Sequence, residues 1–408
     1  MKRYQWMGIM LSLVLLLCSC GTDKEVEKKA GESTSTPSAT ASVTPLISEE
    51  EAFSEAEKIV KTMTIEQKVG QMFLVDLLQL DVSPSVDGTA YKATDSMKQA
   101  IIDYHLGGVY LTKENIKSQK QTKKLVQNLQ ASVVSGSALY VAVEEDGGGE
   151  NSISAKVEDL KDTGYVTPKE MGQNMTANQI YESGKTIAGE LTKIGINLNL
   201  APVADLASAQ NPSYAMRCLG SDADGVADLL DDFVSGMREG GLSVTLKTFP
   251  GIGNVSADVT ESIAENTDSL MTIRDTNFVP YASGIQAGAD CVMVSNAAYS
   301  KLTVKKVPAF MSQDIVTKLL REELGFDGIV MTSPLNDNVI ENNYTNEFAV
   351  VEAVKAGCDL IVLPGNFKEC YEALITAVEE GRIDEKVINT SVRRILQNKI
   401  QRGILVLE

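Results

Sequence analysis

Histidine is almost missing from this sequence: His105 stands alone among 408 residues. A metal centre built on imidazoles is therefore excluded, because such sites draw on several of them. The same scarcity removes the side chain most often used for proton transfer near neutral pH. Cysteine is sparse as well. Beyond the N-terminal pair Cys18 and Cys20 there are Cys218, Cys291, Cys358 and Cys370, with no Cys-x-x-Cys pair and no metal-ligand spacing. Cys291 lies in an apolar run and Cys358 at the edge of another. These four read as buried thiols, with a disulfide left open for an exported chain. Basic residues are outnumbered, 37 Lys and Arg against 55 Asp and Glu, for a net charge of −18. That excludes a nucleic-acid partner, which needs a basic face; otherwise acidity mainly favours solubility. No Walker or Rossmann pattern surrounds the glycine run Gly147-Gly148-Gly149, which reads as loop geometry. No metal and no cofactor is implied.

What is present begins with a leader. Lys2 and Arg3 precede an apolar stretch from Trp6 to Leu17, followed by Leu17-Cys18-Ser19-Cys20-Gly21. This is a signal-peptide layout, too short for a stable span. Its end resembles a bacterial lipobox, which makes Cys20 the expected lipid attachment and residues 1–19 the cleaved leader; a plain signal with incidental cysteines is the alternative. Cleavage would remove Trp6, the single tryptophan, and take the net charge from −18 to −20. Residues 20–47 are rich in Ser, Thr, Pro, Gly and charge, with few large apolar side chains. They read as a disordered tether reaching roughly 30 Å. The expectation is an exported protein, lipid-anchored to the bacterial membrane and facing outside.

The remainder, 48–408, is expected to be one domain. At 43% hydrophobic and 23% charged residues the chain can bury a sizeable core. Ser48-Glu49-Glu50-Glu51 is a capping-box pattern that opens a helix. Apolar runs then recur at 70–78, 107–112, 138–145, 196–206, 242–249, 290–297, 327–333 and 359–366. Helical spacing fills most of the gaps, as in residues 179–194 and in 312–324, where Ser312 is the expected N-cap. Several runs are apolar throughout, as strands buried on both faces should be. Eight such strands alternating with helices predict an α/β fold, a (β/α)8 TIM-type barrel. A last helix with Asp384 as N-cap and Gly403 at its end closes the domain, and no second domain is expected after it.

Sites in such barrels lie at the C-terminal ends of the strands. That directs attention to Glu144–Gly149, Asp205, Lys247–Asp258, Ser295, Asn296, Ser333–Asp337 and Pro364–Asn366. His105 precedes the second strand, at the opposite end, and reads as structural.

The strand-end segments "GINLNLAPVADL", "NPSYAMRCLGSD", "LKTFPGIGN" and "LREELGFDGIVMTSPL" occur in order over about residues 48–403. Together they resemble glycoside hydrolase family 3, in its single-domain β-N-acetylglucosaminidase branch. The resemblance implies retaining hydrolysis, with an aspartate nucleophile at the end of the seventh strand. It also implies a His, oriented by an Asp, on a loop after the fifth strand. A retaining glycosidase needs two such groups flanking the scissile bond, about 5 Å apart.

Against that pattern both groups are replaced. The seventh strand ends "GIVMTSPL" where the family reads like "GVIVTDDL", so the nucleophile position is Ser333. The fifth-strand loop reads "KTFPGIG" where the family reads like "KHFPGHG", placing Thr248 and Ile252 at histidine positions. Asp258 matches the orienting aspartate, and Thr260 stands at the acid/base histidine. Lys247 and Arg217 match sugar-binding residues, and Glu144 replaces a sugar-gripping aspartate. A serine nucleophile would need a neighbouring base; a structural alternative makes Ser333 an N-cap and Pro334 the first helical residue. The leading expectation is a catalytically impaired lipoprotein binding N-acetylglucosamine-containing glycan such as peptidoglycan fragments, with a protein partner left open. The alternatives are an active glycosidase with relocated carboxylates, Asp337 or Glu144 among them, and a scaffold that binds no glycan.

Overall fold

The computed structural model describes residues 47–81, 89–133, 137–148 and 166–407, all within the compact unit Val43–Glu408. The leader, Cys20, tether residues 20–46 and Gly149 lie outside the described residues.

All eight apolar runs contain a strand: β1 Phe73–Asp76, β2 Gly108–Tyr110, β3 Tyr140–Val143, β4 Leu198–Asn199, β5 Ser243–Phe249, β6 Cys291–Val294, β7 Ile329–Thr332 and β8 Ile361–Val362. Neighbours pair in parallel in the order β8-β1-β2-β3-β4-β5-β6-β7. A parallel bridge between Met331 and Leu360 joins the last strand to the first in that order, so the sheet closes on itself as a (β/α)8 barrel. The continuous apolar runs have the predicted cause: every residue of β3, β6 and β7 is buried, between helices outside and packed side chains within. Gly108 illustrates how tight this packing is. A Cβ there would sit 2.8 Å from the Tyr140 Cβ and 2.9 Å from the Leu74 Cδ1.

Outside the barrel, the helix Glu49–Thr62 starts with the expected capping box between Ser48 and Glu51. The segment read as 179–194 is the helix Ala177–Lys193. The helix Asp314–Glu323 departs from expectation. It is wound wider than an α-helix, Gln313 holds its cap position, and Ser312 makes no side-chain cap. The Ser312 carbonyl instead accepts from the Ile315 and Val316 amides at 3.1 and 2.9 Å, because the chain enters from a tight turn at Ala309–Met311. Ser333 does not cap a helix either. The next helix begins at Asn338 with Asp337 at its cap, and the Ser333 hydroxyl donates across to the Val294 carbonyl at 2.9 Å. The four described cysteines are free and buried, and burial raises each thiol.

The final helix, Glu385–Gln401, is capped by Asp384 and plugs the N-terminal end of the barrel. Asn398 accepts from the Tyr140 hydroxyl at 2.7 Å and the Ser243 hydroxyl at 2.9 Å, and Arg402 grips both oxygens of Asp290 at 2.7–2.8 Å. Lys399 is fully buried there, donating to Gln71 Oε1 at 2.8 Å and the Gly107 carbonyl at 2.9 Å. His105 also lies at this end, its carbonyl accepting from Gln71 Nε2 at 2.7 Å.

Burial lowers the Lys399 ammonium from 10.5 to about 7. Between those limits the unfolded chain holds a proton that the folded chain lacks, so this residue's contribution to stability rises with pH. Relative to Lys399→Met, the wild-type protein should gain up to about 1.4 kcal/mol per pH unit above neutrality. Denaturant melts of both proteins between neutral and mildly alkaline pH check this; parallel curves would count against it.

Candidate functional site

At the C-terminal ends of the strands the barrel opens into a cavity of about 730 Å³. Its wall includes Glu144 after β3, Arg217 from the loop after β4, Lys247 and Thr248 of β5, and Asp258 and Thr260 from the following loop. Asn296 after β6 and Ser333 and Asp337 after β7 also line it. Of the strand-end residues singled out by sequence, Pro364–Asn366 do not reach this cavity, and Glu145 and Asp205 are buried behind it.

Asp205 explains the shape of the loop "KTFPGIGN". Its carboxylate has no exposure to water. Instead it accepts from the Thr248 amide and hydroxyl at 3.1 and 2.9 Å, and from the Ile252 amide at 2.9 Å. Two phenols, Tyr281 at 2.9 Å and Tyr214 at 3.0 Å, complete the set. Burial raises this carboxyl despite those bonds. The glycines serve the same turn. Gly251 has φ of 115°, and a Cβ on Gly253 would lie 1.8 Å from the Leu206 carbonyl oxygen, so neither position admits a side chain without moving the backbone.

Four charged residues meet at one side of the cavity. The Lys247 ammonium lies 2.6 Å from Glu144 Oε1 and 2.9 Å from Asp146 Oδ1. Arg217 pairs with Asp146 through Nε at 2.7 Å and with Glu144 through its terminal nitrogen. Burial works to raise the Glu144 carboxyl, but the Lys247 and Arg217 charges outweigh it and hold the group down to about 2. Glu144 and Arg217 stay partly exposed, while the Lys247 side chain is only 3% exposed. The expected sugar-binding trio therefore converges, with Asp146 as a fourth member whose role sequence reasoning missed. Tyr214, under the Arg217 guanidinium at 5.6 Å, was missed too, although it sits in the quoted segment "NPSYAMRCLGSD".

The opposite side is different. Thr260 is exposed, and its hydroxyl and amide both donate to Asp258 Oδ1, at 2.7 and 2.9 Å. Its carbonyl accepts from the Val339 amide at 2.7 Å, which docks the loop onto the chain after β7. Ser333 is 5% exposed. Asp337 accepts from Asn296 Nδ2 at 2.8 Å. Burial first, then the charges of Glu144 and Asp258, raise its carboxyl from 3.8 to about 7.

Between those two values the folded chain holds a proton that the unfolded chain has lost, so the Asp337 contribution falls as pH rises from about 4 to 7. Asp337→Asn should remove that decline and flatten the thermal stability profile over this range. Melting curves of both proteins across it give the answer; an unchanged profile in the variant would contradict the assignment.

Comparison with known proteins agrees with this architecture. The family model described as glycosyl hydrolase family 3 N terminal domain matches residues 64–398. Beta-hexosaminidase A of Pseudoalteromonas piscicida is 26% identical over 369 residues, covering 83% of this chain and 61% of that protein. The chain thus spans less than two thirds of that relative. A beta-hexosaminidase of Xylella fastidiosa (strain M23) is 29% identical over 266 residues, 64% of this chain and 77% of its own length. Among solved structures, the family 3 beta-N-acetylglucosaminidase from Paenibacillus sp. str. FPU-7 superposes with a TM-score of 0.75 at 29% identity, over 85% of this chain and 64% of its own. The beta-N-acetylhexosaminidase from Beutenbergia cavernae DSM 12333 gives 0.71 at 28%, over 83% and 98%. With eight parallel strands, a strand-end cavity and a family match over most of its length, this chain belongs to glycosyl hydrolase family 3, through that family's N-terminal barrel domain.

Proposed function

We propose that this protein is a family 3 β-N-acetylglucosaminidase-like lipoprotein that binds N-acetylglucosamine-containing cell-wall glycan with its hydrolytic machinery impaired. One observation carries the reading. Ser333, at the position where the family resemblance implies the nucleophile, is buried and spends its hydroxyl on the Val294 carbonyl. A serine attacks only with a base to take its proton, and that carbonyl oxygen is not one. Thr260, at the acid/base position, has no proton to exchange near neutral pH and is bonded to Asp258. The binding half rests on Glu144, Arg217 and Lys247, which present a preformed array of charged donors and acceptors on the cavity wall. Membrane attachment through Cys20, with the barrel outside the cell, completes the proposal; Cys20→Ala should move the protein from the membrane to the soluble fraction, and unchanged fractionation would argue against it.

A second reading, hydrolysis by relocated carboxylates, draws on one feature. Asp337 holds its proton up to about 7 inside the cavity, which is the range a general acid needs.

Titration with N-acetylglucosamine-containing muropeptide fragments, following binding and product together, separates these readings. The expected result is saturable binding without product, weakened tenfold or more in Arg217→Ala, as loss of a charged hydrogen bond costs about 1.5–3 kcal/mol. Turnover abolished by Asp337→Asn in a folded protein would establish the second reading. Neither binding nor turnover would leave only a scaffold.

A further inference from the structure

Charge is spread unevenly around the cavity. On one side two carboxylates, Glu144 and Asp146, face two cations, Lys247 and Arg217, and the four neutralise one another. On the other side Asp337 and Asp258 line the wall, with Glu261 close enough to raise Asp337. Among the described residues, none of these three carboxylates has a Lys or Arg in ion-pair contact; their partners are Asn296, Thr260 and Asn338.

Asn296 supplies an independent sign. It is 1% exposed and lines the same wall. Its Nδ2 donates to Asp337, while its Oδ1 is buried with no hydrogen-bond partner. A buried acceptor left unpaired costs about 1–3 kcal/mol, so a ligand donor that reaches it through a small turn of the Asn296 side chain toward the cavity is favoured. Ser333 offers none, since its hydroxyl is committed to Val294. This wall therefore presents acceptors, with the Asp258 carboxylate beside them and the Asp337 charge added once that carboxyl ionises near 7. An acetamide group would bring one N–H and a carbonyl oxygen, and that oxygen finds a donor here only while Asp337 keeps its proton. A primary ammonium brings three donors and a positive charge. A bound metal is the weaker match, because no group of three or more potential ligands converges among the described residues.

We propose that the wall formed by Asn296, Asp337 and Asp258 recognises the primary ammonium of a 2-amino-2-deoxy sugar, so that de-N-acetylated glycan is preferred over its N-acetylated form. The inference rests on the glycan-binding reading and specifies which sugar of the glycan enters the cavity. Burial first, and then the neighbouring carboxylates, raise Asp337; a cation seated there would offset both by favouring its ionised form.

The test is calorimetric titration of the full folded protein with a glucosamine tetrasaccharide and with its fully N-acetylated counterpart, at several pH values on either side of about 7, so that a charged amine and an ionised Asp337 are both sampled. The expected result is about tenfold or tighter binding of the free-amine oligomer, a difference of about 1.4 kcal/mol. Asp337→Asn and Asn296→Ala should each abolish that preference. Asp258→Asn, on the exposed loop, should weaken it and guards against misfolding of the other two. Each Asp→Asn change alters a net charge of −18 by a single unit, so non-specific attraction of the amine to an acidic protein would survive all of them. A preference that persists in folded Asp337→Asn therefore overturns the inference. Equal or tighter binding of the acetylated oligomer overturns it while leaving glycan binding in place, and binding of neither oligomer overturns both.

Discussion

Withdrawing a carboxylate from water is costly unless donors replace its lost hydration. At the mouth of this barrel Asp205 is withdrawn completely, and its donors come from separate stretches of chain. Thr248 and Ile252 follow β5, Tyr214 lies in the loop after β4, and Tyr281 sits on the helix Phe278–Gln286. The cost of burial is met only if all of them arrive together. Asp205 thus couples the loop "KTFPGIGN" to the loop that carries Arg217 and fixes both against the barrel. Lys247 is placed as a consequence, since it precedes the first of those donors in the chain.

That arrangement separates the shape of the cavity from its chemistry. The loop after β5 keeps its path because Asp205, Gly251 and Gly253 set the backbone, and none of these depends on a histidine at position 248 or 252. Thr248 even contributes to the shape, since its hydroxyl is one of the donors to Asp205. Ile252 is buried and adds apolar packing where the family pattern has a titratable ring. The path of the loop thus needs no titratable side chain at 248 or 252. On the β7 side the same economy holds, for Ser333 uses its hydroxyl to tie β7 to β6.

The two sides of the cavity then obey different electrostatics. Lys247 is held almost out of water by two carboxylates that also hold Arg217. In such a cluster opposite charges balance at short range, which offsets part of the cost of taking them out of water. Across the cavity Asp337, Asp258 and Glu261 have polar partners rather than cations, and burial together with the neighbouring carboxylates raises the Asp337 carboxyl. The described cavity accordingly has one wall whose charges are paired and another whose carboxyls have no cation beside them.

Much of this was legible in the chain itself. Continuous apolar runs bounded by turn residues point to strands buried on both faces, and their alternation with helical spacing points to a parallel sheet covered by helices. Ser48 with Glu51, and Asp384 with Gly403, specify helix ends through bonds to neighbouring residues. The strand-end segments likewise placed Glu144, Arg217, Lys247 and Ser333 around one opening. What the sequence could not decide were contacts between residues far apart in it. The Ser333 hydroxyl had two local roles on paper, N-cap or nucleophile, and took neither, because the Val294 carbonyl lies within reach only once β6 and β7 pair. Tyr281 gives no sign in its segment that it will bond Asp205. The pairing of Glu144 and Asp146 with Lys247 and Arg217, and the unpaired oxygen of Asn296, exist only after the barrel closes. Backbone hydrogen bonding and apolar periodicity are local and repeat along the chain; the balance of buried charge depends on which strand ends face one another, and tertiary structure alone sets that.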